Sequence, residues 1–539
     1  MKPIYVLILA LLLSGINGTA QTIFLKSYGD ENPNYFSEQV SDKEGNSFFS
    51  GTFYGSSMEF GDITLTSGFS VSAYVVKVDS DGEPVWSIVE ASDASVQVFD
   101  IILDHENNII VCGIFYNADA VFSGITLSPN DSYSFVVKYD PNGNIIWAKS
   151  GPGEYLSFIS LAVDEDNNII ILGSNNGALT FMGEEVEWIG DYDVVYLKYD
   201  KNGNEQWLKS LGSVESDSPG EIATDHNGNI FISMVYRTDF SIGAINVTND
   251  GLSDCLILKT TPSGEAIWVK TITGVSDGGN ISGIVVDEEN DVYLCAELYG
   301  DDFLFGMPVN NYGASDVYLV KMNGDDGGLE WYRFGGGSDY DHSASIVLAT
   351  EGIFISGTFQ DAAEFDGLQL YTEHVNAFIV GYERDGDIAQ VYPITGNNFV
   401  TPIGLDVDGH GNVYCGGYFA ENVIVENAEE LITSGSNEIF LYKFGSALVD
   451  INTVANSGIN MDIFPNPAVE TITLSFPEVA PILASISIIN TSGQIVFESK
   501  DFNTVDGKSI DINNLPTGIY SVTIWDNSNI LNSQKFVKL

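Results

Sequence analysis

Five tryptophans, Trp86, Trp147, Trp207, Trp268 and Trp331, stand 60 to 63 residues apart, and each closes a segment of one form. The segments read YVVKVDSDGEPVW (74–86), FVVKYDPNGNIIW (135–147), VYLKYDKNGNEQW (195–207), LILKTTPSGEAIW (256–268) and YLVKMNGDDGGLEW (318–331). Two degenerate copies follow: FIVGYERDGDIAQ (378–390), with Gln390 in place of the tryptophan, and FLYKFG (440–445), which stops short of that position. A fixed period of this length marks a supersecondary unit that buries its apolar face only against its neighbours. Upstream of each copy lies a second hairpin, whose later strands read NSFFSGTF, NIIVCGIF, NIIILGSN, NIFISMVY, DVYLCAEL, GIFISGTF and NVYCGGYF. One unit is therefore strand A, an Asp/Asn/Gly turn, strand B, a longer excursion, strand C, a D-x-x-G turn and strand D, a run of antiparallel hairpins.

Four antiparallel strands repeated radially make a propeller blade and leave only short edges. The last unit lacks strand D, whereas FLKSYG (24–29) matches WLKSLG (207–212) closely, with Phe24 at the tryptophan position. The expected fold is all-β: a seven-bladed β-propeller over 21–446, closed by its N-terminal strand, then a linker (447–459) and a small β-sandwich (460–539). The repeat resembles the secreted SBBP-repeat propellers, a resemblance that bears on fold and not on activity, because propellers host unrelated functions. Sialidase Asp-boxes occupy a similar turn, but with a shorter Asp-to-Trp spacing and three arginines on the substrate. This chain has only Arg237, Arg333 and Arg384, each in a different unit.

Lys and Arg number 20 against 75 Asp and Glu, a formal charge of −55, which repels phosphate backbones and anionic lipid heads and so excludes nucleic acid as a partner. The opening MKPIYVLILALLLSGINGTAQ has one early cation, a short apolar run and small residues at Gly18 and Ala20. It reads as a signal peptide cut near Ala20, too short to span a bilayer. No later apolar run is long enough to cross a membrane, so the mature chain is expected to be secreted or held on the outer cell surface, without a transmembrane segment. Of Cys112, Cys255, Cys295 and Cys415, three fall at strand positions of different units, as small buried hydrophobes do.

Beyond the linker, alternating strands divided by Pro and Gly turns predict the sandwich. Pro465, Asn466 and Pro467, then Gly493, then Leu515, Gly518 and Tyr520, with Lys535 and Lys538 near the end, resemble the type A sorting domain of the type IX secretion system. The resemblance implies a Bacteroidota-type bacterium, export by the type IX machinery as partner of 460–539, and removal of the domain on the way out.

Chemistry is sparse. His105, His226 and His410 fall in A–B turns, and neither His342 nor His374 accompanies a nucleophile motif. Asp-rich turns such as DEDNN (164–168) read as Asx turns, because Asn175 stands where an EF-hand loop needs its bidentate Glu. Ten lysines, Lys77, Lys138, Lys198, Lys259, Lys321 and Lys443 in strand C with Lys26, Lys149, Lys209 and Lys270 in strand D, belong to the repeat and leave few cations to hold an anionic ligand. The D–A connections carry Asp30, Asp93, Glu154, Glu215, Asp217, Asp277, Asp339 and Asp341. These would form a carboxylate rim at the channel mouth, able to take a divalent cation such as calcium, or a cationic or sugar ligand; the alternative is that they are solvated turn residues. No cofactor is otherwise implied. The expected function is a non-catalytic binding or adhesion propeller with a glycan or surface protein as partner. The alternative is an extracellular polysaccharide hydrolase or lyase using paired carboxylates on the loop-rich face.

Overall fold

The computed structural model describes residues 22–445 apart from 30–33, 68–70, 91–93, 129–132, 154, 275–278, 300–302, 310, 351 and 434–436. It further describes 462–538 apart from 466–467, 470, 476–482, 491–494, 504–507, 516–517 and 527–528. The signal-peptide and linker assignments, and Asp30, Asp93, Glu154, Asp277, Asn466, Pro467 and Gly493, lie outside the described residues. Gln21–Ser446 forms one compact unit, and 447–539 belongs to a second.

The first unit is all-β, built from antiparallel sheets of four to six strands. Sheet 1 spans 34–90, sheet 2 95–150, sheet 3 156–211, sheet 4 218–273, sheet 5 280–336 and sheet 6 342–394, each running A–B–C–D in chain order. Sheet 7 takes three strands from 400–445, and Thr22–Tyr28 lies antiparallel to Glu438–Gly445 as its fourth. The strand alternation predicted from the repeat is thus present. The B–C excursions, which show no pattern in the repeat, each fold into a short hairpin of their own, such as Ala120–Phe122 with Ile125–Leu127. In sheets 4 and 5 the hairpin of the following unit pairs with strand D and extends the sheet to six strands.

Phe24 pairs with Lys443, as Trp86 pairs with Lys77, Trp147 with Lys138, Trp207 with Lys198, Trp268 with Lys259 and Trp331 with Lys321. The aromatic of each pair then reaches the C–D turn of the next sheet, and so do the lysines Lys138, Lys259 and Lys443. Lys259 Nζ and Trp268 Nε1 both donate to Gly324 O, at 2.9 and 3.1 Å, and Lys443 Nζ donates to Ser80 O at 2.9 Å. These turns need a glycine with positive φ, which the aromatic covers: a Cβ at Gly203 would lie 3.0 Å from the Trp147 ring, and one at Gly82 3.1 Å from Phe24. The lysine charge is met inside its own sheet by the A–B turn carboxylate, Lys138 with Asp104 at 2.7 Å and Lys198 with Asp164 at 2.7 Å. Lysine and hydrogen-bonded turn amides hold Asp104, Asp164 and Asp408 below the usual carboxylate range against their burial. Each such Asp also accepts from the amides two and four residues on, as Asp164 does from Asp166 and Asn168, so the Asp-rich turns use their carboxylates internally.

Outside this buried layer, Lys26 pairs with Glu83 at 2.6 Å and Lys209 with Glu265 at 2.7 Å, with both glutamates well exposed. Exposed pairs contribute little, so Glu83→Gln is expected to move the melting temperature by under about 2 °C in a thermal scan.

All four cysteines are buried and free, and desolvation pushes the thiols of Cys255 and Cys295 up to about 12, which keeps them unreactive. The second unit stacks two sheets. One holds Asp462–Phe464, Thr471–Ser475 and Lys508–Asp511; the other Ile495–Asn503, Leu483–Asn490, Gly518–Asp526 and Asn529–Lys538. Ile472, Leu474, Ile486, Ile488, Tyr520, Val522 and Ile524 form the core, with Leu515 packed against it.

Candidate functional site

In each four-strand sheet the B–C and D–A connections share one end, where the acidic rim is expected. Glu215 is exposed there and Asp339 partly exposed. Asp217 and Asp341 are placed otherwise. Both are buried and brace their own D–A loop: Asp217 accepts from the Ser213 amide and hydroxyl, and Asp341 from the Gly337 amide. Desolvation raises their carboxyls to about 6 and about 7, Asp341 with added repulsion from Asp316. An acid four residues after an amide it caps is a loop brace, and these two correct the expected rim to that extent.

The structure gathers a different set of carboxylates along the first strands. Asn34–Ser41 packs against Ser95–Leu103, the contact repeats through Leu156–Val163, Ser218–Thr224, Asn280–Val286, His342–Leu348 and Val400–Val407, and the last packs against Asn34–Ser41. Every one of these strands carries a register shift at the same level, between Phe36 and Glu38, Val98 and Asp100, Phe158 and Ser160, Pro219 and Ile222, Ile281 and Gly283, Ser343 and Ser345, and Pro402 and Gly404. A bulge leaves a backbone group without its ladder partner. Polar side chains bond across neighbouring sheets around this level, to backbone groups at or near the bulges and to one another. The Leu161 amide donates to Asp100 at 2.7 Å, the Leu405 amide to Ser345 Oγ at 3.0 Å, and the Ser41 amide to Asp406. Ser37 Oγ donates to Val98 O at 2.8 Å, Ser160 Oγ bonds Glu221 at 3.2 Å, and Ser282 meets Ser343 at 2.6 Å.

Glu38, Asp100, Glu221 and Asp406 keep some accessible surface while lying deep in protein, as groups on the wall of a narrow channel do. Gly404 makes room for Glu38, whose carboxylate lies 1.8 Å from where a Cβ would stand. Burial first, and then mutual repulsion, raises Asp100 to about 7 and Glu38 well above the carboxylate range; burial alone raises Glu221 to about 7 against its Ser160 bond, and burial chiefly raises Asp406 to about 7. Glu38 stands four residues into its strand, roughly 13 Å from the loop-rich end at about 3.3 Å per residue. Among the described residues no group of three or more His, Cys, Asp or Glu is placed to hold a metal ion. The sequence carries one signal for this set: an acid inside an apolar strand, four residues before the turn Asp in Glu38, Asp100 and Glu221, which is invisible without the bulge.

The loop-rich ends also expose aromatics outside the repeat. Tyr35 and Tyr155 stand at D–A connections, Trp188 and Tyr192 in the B–C connection of sheet 3, Tyr312 in that of sheet 5, and Tyr340 between sheets 5 and 6. Tyr340 stacks on His342, whose Nδ1 lies 2.9 Å from Glu297; that bond, partly offset by burial, raises the imidazole. At the opposite ends, His226 Nδ1 lies 2.6 Å from Glu165 and His105 Nε2 3.9 Å, both half-exposed. The six repeat aromatics stay in the inter-sheet contacts described above, and among the described residues none of them joins this exposed set.

Residues 462–538 match the family model described as "Secretion system C-terminal sorting domain", Por_Secre_tail. This segment is a sorting domain. It takes the protein out through the Por secretion system, to the cell surface or beyond. Of the residues expected to mark it, Pro465 is exposed after the first strand, Gly518 opens Gly518–Asp526, and Tyr520 is in the core. Among the described residues no helix is long and apolar enough to cross a membrane. The chain is 30% identical over 118 residues to an uncharacterized WD repeat-containing protein of Acanthamoeba polyphaga mimivirus, covering 20% of this chain and 8% of that one. It is 25% identical over 324 residues to the regulatory protein FlaEY of Caulobacter vibrioides, covering 58% and 29%. The chain thus spans less than a third of either relative. Among solved structures, an ulvan lyase aligns with a TM-score of 0.40 at 10% identity, covering 78% of this chain and 96% of that one. Regucalcin from Agrobacterium tumefaciens aligns at 0.30 and 9%, covering 63% and 85%.

Proposed function

We propose that the mature chain, freed of a signal peptide over 1–20, is a closed seven-bladed β-propeller that works outside the cell as a non-catalytic binding or adhesion module for glycans. Closure is supported by Phe24 standing opposite Lys443 as each tryptophan stands opposite its lysine, and by the contact of Val400–Val407 with Asn34–Ser41. The observation that carries the function is the set of exposed tyrosines and Trp188 on the B–C and D–A connections. Aromatic faces with polar tips suit amphipathic surfaces such as sugar rings. Glu215 and Asp339 remain on this face as polar partners. In this reading the type IX machinery handles 460–539, with 447–459 as linker, and the propeller is the cargo.

The rival, a polysaccharide hydrolase or lyase, draws on the raised carboxyls of Asp100 and Glu221. Their depth and their hydrogen bonds to neighbouring strands fit a structural belt better than a polymer site. A glycan array probed with residues 21–446, with and without calcium, is expected to show binding to a restricted set of glycans without shortening them, and with little change on adding calcium. Glycan cleavage lost in Asp100→Asn would establish the rival, and an array blank under both conditions would remove glycans as the ligand class.

A further inference from the structure

The exposed aromatics are not equivalent: Tyr312 and a further exposed aromatic, Tyr371, flank a cleft with one wall fixed by backbone pairing. The hairpin Ala362–Phe365 with Leu368–Tyr371 adds to the edge of Leu329–Gly336 through Gly335 with Phe365 and Gly336 with Glu364. Ala363 and Phe365 point into the core and anchor it. Strand alternation then sends Glu364, Gln369 and Tyr371 to the outer face. There they form a chain: Tyr371 OH donates to Gln369 Oε1 at 2.5 Å, and Gln369 Nε2 donates to Glu364 Oε2 at 3.1 Å. Tyr312 stands across the cleft, its ring 5.1 Å from Phe334 and its amide bound by Asp316. The floor is Gly336 and Gly337, where a Cβ at Gly337 would collide with Ala362 O at 1.6 Å. The cleft holds about 220 Å³. Its two tyrosines are 55% and 70% exposed, for Tyr312 and Tyr371 respectively.

We propose that this cleft is a binding subsite for one uncharged pyranose unit of a glycan, an inference that rests on the glycan-binding reading of the face. Two tyrosine rings offer apolar surface to the C–H faces of a sugar, and the side-chain amide and carboxylate stand side by side as vicinal hydroxyls require. Sites with aromatic walls and a few fixed polar groups bind by this division of labour, and the hydrogen-bonded chain sets those groups before the ligand arrives. A cavity of this size, below the roughly 300–1,000 Å³ of sites that enclose larger ligands, takes a single ring. Among the described residues no cation lines the cleft and Glu364 is its one charged group, and the chain carries −55, so sulfated and uronic-acid polymers are repelled.

The test is calorimetric titration of the full chain with hexasaccharides of β-1,4-glucose, β-1,3-glucose and β-1,4-mannose, and with an alginate hexamer as the anionic probe. At least one neutral hexamer is expected to bind and alginate to give no heat. Tyr371→Ala and Tyr312→Ala should each weaken the neutral ligand at least tenfold, while Tyr371→Phe, which keeps the ring, should stay within about threefold. The exposure of both tyrosines makes an unchanged melting temperature the control for folding. Neutral binding that survives both alanine variants would overturn the subsite and leave the face reading standing. Preference for alginate would overturn the assignment of an uncharged sugar, and silence toward every probe would remove both readings together.

Discussion

Deleting residues 21–29 from the mature chain is expected to abolish cooperative folding near physiological temperature, or to lower the melting temperature by more than about 10 °C. The strand Thr22–Tyr28 supplies the fourth member of sheet 7, and its loss bares the edge of Glu438–Gly445. It also removes Tyr28, which is buried, stacks on Phe60 at 4.2 Å, and donates to Gly82 O at 2.8 Å in the neighbouring sheet. At about 1.5–3 kcal/mol for each fully buried large apolar side chain, buried Tyr28 with part of Leu25 and part of Phe24 amounts to roughly 3–5 kcal/mol. That is a large fraction of a whole domain's net stability, about 5–15 kcal/mol. Thermal scans of 21–446 against 30–446 measure the effect, and a synthetic peptide of residues 21–30 added in excess should restore the transition by mass action. Phe24→Ala, which keeps the backbone pairing, should cost less. Equal melting temperatures for the two lengths would mean that the ring is not closed by this strand.

That fourth strand of sheet 7 could be read because the repeat reports on itself: FLKSYG is recognisable beside WLKSLG, and Phe24 does stand opposite Lys443. The strand C lysines were equally legible as a periodic position, although not the second role of Lys138, Lys259 and Lys443, the bond to the next sheet's turn, because repetition along the chain says nothing about contacts between repeats. The site was far less legible. An acid in a D–A connection has the same local sequence whether it faces solvent, as Glu215 does, or folds back on its own loop, as Asp217 does. Glu38, Asp100 and Glu221 look like isolated polar residues in apolar strands until the bulges set them at one level in different sheets. Trp188 and the connection tyrosines follow no period, so no pattern separates them from core aromatics before exposure is known.

The same four carboxyls set the second large effect: the propeller should be more stable at pH 5 than at pH 8. Asp100, Glu221 and Asp406 titrate near 7 in the folded chain, and Glu38 above the usual range, against about 4 when unfolded. Between those values the folded state holds protons that the unfolded state has released, so stability falls as pH rises through that window. One carboxyl displaced from about 4 to about 7 loses up to about 4 kcal/mol by pH 8, and mutual coupling makes the four sum to less than four times that. His342, raised by Glu297, adds in the same direction. The lysine-paired turn acids Asp104, Asp164 and Asp408 act oppositely, but only at lower pH, where protonation as pH falls toward their depressed values removes their contribution. Glu221→Gln keeps an acceptor for Ser160 Oγ and removes one of the repelling charges that Glu38 and Asp100 feel. It should therefore raise the melting temperature at pH 8 by several degrees, change little at pH 5, and flatten the profile between them. A profile level or rising from pH 5 to pH 8 would show that the belt is ionised in the folded chain, stabilised by a bound cation or by water that enters to its full depth.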